Sequence, residues 1–361
     1  MDDGWFSTRD NEYSGLGDWW VNTNKINLEK VIDYCHSKGL KFGIWFEPEM
    51  VNYYSELFDK HPDYVIGLDR ERVCLHRHQL MLDFTNPEVV DYIYKQICDV
   101  VDKYPIDYIK WDHNRDLKEC YVPRLGKDRQ GEVTHRMVLG YYDLLERITK
   151  RYPNIMIEGC ASGGGRFDLG TLYYCPQIWC SDNTDPLMRL YIQYNTSLGY
   201  PLSSMGSHVS KSETADYVTK ANLALFGTYG YEMNPNNLKK DEINNLSIIS
   251  EIYKKYHKEY FDNGVLYHLM SPETSNFMSM QVKNKSVDSS IALLISKETC
   301  SSNNIKLKLK GLNENVKYCI ECEDKKEFYL GKDLINGKLN IKNFKPIFKG
   351  CDSILIFIKA C

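Results

Sequence analysis

The triplet Lys110-Trp111-Asp112 sits where an apolar run, 105–109, passes directly into charge. In a pleated strand side chains alternate faces, so Lys110 and Asp112 share one face while Ile109 and Trp111 share the other. An ammonium beside a carboxylate favours the ionised form, which is the form that attacks as an oxygen nucleophile. Asp112 is therefore the first candidate nucleophile; the competing reading is a structural ion pair at a strand end. A nucleophilic carboxylate needs a second carboxyl group to pass a proton. The carboxyl groups near strand ends are Asp2, Asp3, Glu47, Glu49, Glu158, Asp182 and Asp185. Glu47 and Glu49 flank Pro48 and are read as fixing a loop, and Glu158 precedes the end of its strand and is read as bonding inside the fold. Asp185 precedes Pro186 and is expected to cap a helix. Asp182 falls at a strand tip between Ser181 and Asn183, which can orient it, and is the candidate acid/base.

These residues recur in one setting: a short apolar run, then small, charged or aromatic residues, then a stretch of helical spacing. Residues 41–46, 105–111, 154–158, 177–180, 200–204 and 223–226 read as six strands. Apolar residues at helical spacing lie at 27–38, 87–104, 134–152 and 188–198. The fold class is α/β, a (β/α)8-type TIM barrel with its chemistry at the C-terminal ends of the strands. Such a barrel closes with eight strands, and the chain opens on a polar tip like those that follow a strand. The barrel is therefore expected to be N-terminally truncated, with the remaining strands supplied by a missing N-terminal portion or by a homo-oligomer partner. Beyond residues 262–264 short alternating segments at 290–295, 305–309, 317–320 and 353–358 read as a small antiparallel β-sandwich. The expected division is a catalytic barrel, 1–260, and a C-terminal β-sandwich domain, 261–361.

With 361 residues and 43% hydrophobic content, the chain can bury a large core and a smaller one. A net charge of −4 without a basic run argues against a nucleic-acid or membrane-surface partner. No apolar stretch is long enough to span a membrane and the N-terminus is not a signal peptide, so the expected location is cytoplasmic. The twelve cysteines are scattered, several of them (Cys35, Cys98, Cys180, Cys319) in apolar contexts. Reduced, mostly buried thiols are expected, with neither metal nor cofactor. Trp5, Trp45 and Trp179 lie at or beside strand ends, where a flat ring can stack on a sugar face.

Five motifs in order, Asp-Asp-Gly-Trp-Phe (2–6), Trp-Phe-Glu-Pro-Glu-Met (45–50), Lys-Trp-Asp-His-Asn-Arg (110–115), Cys-Ala-Ser-Gly-Gly-Gly-Arg-Phe-Asp (160–168) and Ser-Asp-Asn-Thr-Asp (181–185), resemble the α-galactosidases of glycoside hydrolase family 36. The resemblance runs through residues 1–260, and the β module after it fits that family's C-terminal domain. It implies retaining hydrolysis of terminal α-galactosides, such as melibiose and raffinose-type oligosaccharides, by double displacement and without a metal. In such enzymes two carboxyl groups stand roughly 5–5.5 Å apart across the scissile bond. By motif, Asp112 corresponds to the nucleophile and Asp182 to the acid/base. Asp2 and Asp3 correspond to the carboxylates that bind the galactose 4- and 6-hydroxyls, and Trp45 to the sugar-stacking ring. Arg77 and Lys110 would bind hydroxyls near the nucleophile. Cys160 and Gly163 would line the pocket floor, with Asn114 and Trp179 counted in the same pocket. The glycine run has its own physical reason, since backbone without side chains can approach a sugar closely. Family members carry a large N-terminal β-sandwich domain and the first barrel strands, which this sequence lacks. The alternatives are a galactosyltransferase of the raffinose- or stachyose-synthase kind, or an inactive truncated remnant.

Overall fold

Four short strands, β1 (Gly43–Phe46), β2 (Tyr108–Trp111), β3 (Met156–Gly159) and β4 (Gln177–Trp179), form a parallel ladder in that order. In the computed structural model, which describes residues 1–67, 75–118, 120–303 and 305–361, they belong to a compact unit spanning Met1–Trp179; a second spans Cys180–Cys361. Parallel neighbours require crossover connections, and the chain supplies them as helices. Asn27 caps α1 (Leu28–Ser37) through Lys30 N, and Asn86 caps α2 (Pro87–Lys103), with proline in the first turn where its missing N–H costs nothing. α3 (Val133–Arg151) follows β2, and α4 (Leu169–Tyr174), capped by Asp168, follows β3. Ile32, Ile93, Ile97, Leu144, Leu145 and Ile148 from these helices share one buried cluster with Ile44, Phe46, Ile109, Trp111 and Ile157 from the strands.

Strand register sets which side chains meet at the end of this sheet. Phe46 pairs with Trp111 and Trp111 with Gly159, so β1, β2 and β3 end level. The next residues, Glu47, Asp112 and Cys160, therefore stand side by side. Backbone hydrogen bonds from Asp112 N to Phe46 O (2.7 Å) and from Cys160 N to Trp111 O (2.7 Å) continue the ladder into the loops.

In the second unit α5 (Pro186–Thr196), β5 (Met205–Ser210), α6 (Tyr217–Ala224), β6 (Thr228–Glu232) and α7 (Lys240–Tyr256) continue the alternation, with β5 and β6 parallel. An antiparallel sheet of six strands comes next in the chain: β7 (Val265–Met270), β8 (Phe277–Lys283), β9 (Ser289–Ser296), β10 (Lys317–Cys322), β11 (Lys325–Leu330) and β12 (Asp352–Ala360), in the order β11-β10-β12-β9-β8-β7. Its apolar face is covered by Leu307, Leu309, Leu334, Phe344 and Phe348, which come from irregular segments, short helices and a two-residue strand. Among the described residues no helix is long and apolar enough to cross a membrane.

Two strands lie further along the chain than the sequence reading places them. Residues 202–204 form a turn of 3-10 helix, and the strand is Met205–Ser210, where a polar tip was expected. Residues 223–226 close α6 and its exit, and the strand is Thr228–Glu232. Both errors have one cause: a short apolar run does not by itself mark a strand, and here it falls in a turn and at the end of a helix. Leu307 and Leu309 alternate and are buried as a strand would be, yet 305–309 carries no ladder. Cys319 and Cys322, three apart on β10, point to opposite faces, and the eleven described cysteines are all free.

One glycine tests the packing of α3 on the loop before α2. A Cβ at Gly140 would lie 2.0 Å from the Phe84 carbonyl oxygen. Helix propensity alone favours alanine there by roughly 1 kcal/mol. Gly140→Ala should instead destabilise by about 1–3 kcal/mol, as overpacking does. Chemical denaturation reads the sign directly.

Candidate active site

Asp112 is the first residue past β2 and only 8% exposed. Burial works against its ionised form, but hydrogen bonds from the Asn114 side chain, the Cys160 thiol, the Trp45 indole and the His113 backbone outweigh it and hold the carboxyl below the usual carboxylate range. Trp45 Nε1 donates to Oδ2 at 3.0 Å and His113 N donates to Oδ1 at 2.8 Å. Trp45 and Cys160 come from the strands on either side, so the level register brings these donors to the carboxylate. Burial and the same carboxylate push the Cys160 thiol far up, keeping it a neutral S–H donor. The sequence reading gives this task to Lys110; the structure gives the larger share to neutral donors. Lys110 Nζ is 3.9 Å from Asp2 Oδ2 and 5.9 Å from the centre of the Trp179 ring. Burial lowers its pKa, and the surrounding Cys160, Asp2, Glu158 and Asp112 more than restore it.

Glu47 and Glu49 are both buried and bond to the residues around Asp112. Glu49 accepts from Trp111 Nε1 (3.2 Å) and from Arg166 Nη1 (3.0 Å), with His113 Nδ1 at 3.3 Å. Burial opposes its charge, but Arg166 and His113 overcome that and hold it well below the ordinary glutamate range. Glu47 accepts from Asn114 N at 2.6 Å and from Gln79 Nε2 at 2.9 Å. Here burial and the Asp112 charge push the pKa up to about 8. The loop-fixing role expected of both residues is what these bonds accomplish. Glu158 accepts from Tyr108 OH within the strand layer, as expected of a residue before a strand end.

Of the other residues the sequence singles out, Asp2 and Asp3 are exposed at the chain start. Asp3 is gripped by Arg9, Nε to Oδ1 at 3.0 Å and Nη2 to Oδ2 at 2.9 Å, and Arg9 Nη1 is anchored on Asn52 Oδ1 at 3.2 Å. The Met1 ammonium donates to Gly43 O (2.7 Å) and Trp45 N to Met1 O (3.1 Å), which lays this segment along β1. Arg77 is exposed in a turn where it and His78 both take left-handed φ values, 53° and 57°. Such conformations cost of order 1–3 kcal/mol each and cluster at functional sites. Asn114 is buried and accepts from Ser162 Oγ at 3.2 Å. Gly163 is buried with φ 85°, and its carbonyl takes the Ala161 N–H at 2.8 Å. Trp5, Trp45 and Trp179 are all buried, and Trp45 reaches the site with its indole N–H. Among the described residues no group of three His, Cys, Asp or Glu could hold a metal ion.

Asp182 lies in the second unit and is exposed. The backbone on both sides of it is pinned by Arg189 of α5, which donates through Nη2 to Ser181 O (2.6 Å) and through Nε to Asn183 O (2.8 Å). Asp185 caps α5 through Leu187 N at 3.0 Å and accepts from Thr214 Oγ1 at 2.6 Å, in keeping with its place before Pro186. Sequence reasoning missed Arg9, Gln79, Arg166 and Arg189 as supports. Only Arg189, one turn beyond the Asp185 cap, carried a readable signal.

The Trp45 indole gives a direct test of what keeps Asp112 ionised. Trp45→Phe removes one donor while keeping an aromatic ring, so the Asp112 pKa should rise toward that of an ordinary carboxyl. Carbon-detected NMR titration of labelled aspartate carboxyls reads this without substrate. An unchanged titration would show that the indole hydrogen bond is immaterial.

Comparison with known proteins places the chain in a family. A family model described as Melibiase matches residues 1–264. α-Galactosidase Mel36A of Lactobacillus acidophilus is 43% identical over 329 residues, covering 88% of this chain and 44% of its own length. The bifunctional α-galactosidase/sucrose kinase AgaSK of Mediterraneibacter gnavus is 38% identical, covering 95% of this chain and 37% of its own length. The crystal structure of the family 36 α-galactosidase AgaA from Geobacillus stearothermophilus matches all of this chain and 50% of its own, with TM-score 0.90 and 37% identity. Variants of AgaA have been crystallised with raffinose and with stachyose. The chain thus spans about half the length of the relatives it matches. The architecture is that of a (β/α)8-type barrel, six of whose strands lie here, followed by an antiparallel β domain. On the family model, the ordered motifs and the structural match together, this chain belongs to the melibiase family, the α-galactosidases of glycoside hydrolase family 36.

Proposed function

We propose that the chain carries the nucleophile and the acid/base of a retaining α-galactosidase acting on terminal α-galactosides such as melibiose, raffinose and stachyose. The observation that carries this reading is Asp112: a buried carboxylate at a strand end, kept ionised by donors from both neighbouring strands. In the first half-reaction an Asp112 oxygen bonds to the anomeric carbon as the bond to the leaving oxygen breaks. Asp182 gives its proton to that oxygen, so the aglycone leaves as an alcohol. In the second, Asp182 takes a proton from water as the water oxygen attacks the anomeric carbon. The ester to Asp112 breaks and galactose leaves in its original configuration. Asp2 and Asp3 take the 4- and 6-hydroxyls, where galactose differs from glucose in one axial position. Lys110 and Arg77 take hydroxyls near the nucleophile, and Cys160, Gly163, Asn114, Trp45 and Trp179 complete the pocket.

The same reading divides the chain into a barrel domain, 1–260, and a C-terminal β domain, 261–361, to which the family-model span of 1–264 corresponds. It pairs the chain with an N-terminal portion like that of its longer relatives, or with further copies of itself. It also places the chain in the cytoplasm, in keeping with free, largely buried thiols.

Two substitutions separate the roles. Asp112→Ala should cost roughly three or more orders of magnitude in turnover of an aryl α-galactoside, because a covalent step is lost. Added azide should restore turnover and yield the β-galactosyl azide; an α product or near-native turnover would overturn the assignment. Asp182→Asn should slow raffinose far more than an aryl galactoside, whose leaving group needs no proton. Equal losses on both substrates would move the proton-transfer role elsewhere.

A further inference from the structure

Glu47 and Glu49 are two residues apart, both buried, and differ in one respect. Glu49 is matched by the Arg166 guanidinium and by His113. The hydrogen-bond partners of Glu47 are neutral: the Gln79 amide and the Asn114 backbone and side chain. Among the described residues, the charged groups acting most strongly on Glu47 are Asp112 and, more weakly, Arg77. Two carboxylates ionised together in a buried site repel, and the one with fewer donors takes the proton. Asp112 has four donors in addition to its strand-end position. The Gln79 amide offers a place for that proton to go. Gln79 is 2% exposed, and its Oε1 is buried without a hydrogen-bond partner while its Nε2 lies 2.9 Å from Glu47 Oε2. The two ends of an amide are interchangeable in shape and are assigned from their bonding. With the amide turned over, Gln79 Oε1 takes the place of Nε2 and accepts a proton from a neutral Glu47 carboxyl.

We propose that Glu47 is a positioning residue that holds a proton next to the nucleophile, donating it to the Gln79 amide while accepting from Asn114, so that of this pair of carboxyls only Asp112 carries a negative charge. This rests on the reading of Asp112 as the nucleophile. In that role Asp112 loses its charge when it becomes an ester, which removes one of the two causes that keep Glu47 neutral and leaves burial as the other. The proton is held most firmly in the resting site and least firmly in the covalent one.

Infrared difference spectroscopy tests this without substrate. At neutral pH the native chain should give a C=O stretching band of a protonated, buried carboxyl that Glu47→Gln removes. The band should titrate away as pH rises past about 8. In Asp112→Asn the same band should vanish at lower pH, because the neighbouring charge is gone. No band lost in Glu47→Gln at neutral pH, or a midpoint that Asp112→Asn leaves in place, would overturn the proposal. Because turnover plays no part in the readout, a chain that hydrolyses no galactoside but shows the shifted band counts against the functional reading alone.

Discussion

Everything at this site depends on keeping one carboxylate charged in a place that disfavours charge. Moving an unpaired carboxylate out of water is costly enough that it ordinarily takes up a proton instead. Asp112 avoids that because β1, β2 and β3 end in register, so donors from both flanking strands arrive at the same level. The donors are an indole, a thiol, an amide and a backbone N–H. None of them carries a formal charge. Neutral donors stabilise the anion while leaving it its net charge, which a cation bonded to it would cancel.

The Glu47-Pro48-Glu49 segment solves the complementary problem, how to hold the Asp112 backbone still. Glu49 accepts from the Trp111 side chain before Asp112 and lies 3.3 Å from the His113 ring after it, and Glu47 bonds the backbone of Asn114. Three of the four residues from 111 to 114 are therefore in contact with one short segment. Arg166, reaching in after the glycine run, neutralises Glu49. This accounts for the carboxylates and the arginine at these strand ends.

How far the sequence can be read depends on what kind of information each feature carries. Strand ends at Asp112 and Glu47, the Asp185 cap and the helices α1, α2, α3 and α5 are local patterns, and they stand where those patterns place them. The strands at 205–210 and 228–232 are misplaced by sequence because their apolar flanks lie in a turn and a helix end, which a short apolar run cannot distinguish. The identity of the groups that ionise Asp112 is misjudged for a different reason. Lys110 is adjacent on the same face and so is visible in one dimension, but Trp45 and Cys160 reach Asp112 only through strand pairing across 67 and 48 positions. Arg9, Gln79 and Arg166 are invisible as supports because a polar residue in a sequence window gives no sign of being buried.

The two proposed catalytic carboxyls are fixed in contrasting ways, and the contrast suits their tasks. A nucleophile forms a bond of fixed length and direction, so displacement of even one ångström is costly. Asp112 is accordingly 8% exposed and bonded on both oxygens. A proton donor works through a hydrogen bond, which tolerates more variation, and it must meet leaving groups of different shape. Asp182 is exposed, and its backbone is held by Arg189 gripping the carbonyls on either side. Arginine suits this because its planar fork offers several donors in fixed directions, so one buried side chain can hold two carbonyls of a loop at once. At Asp112 both carboxylate oxygens are held, and at Asp182 the loop backbone on either side is held.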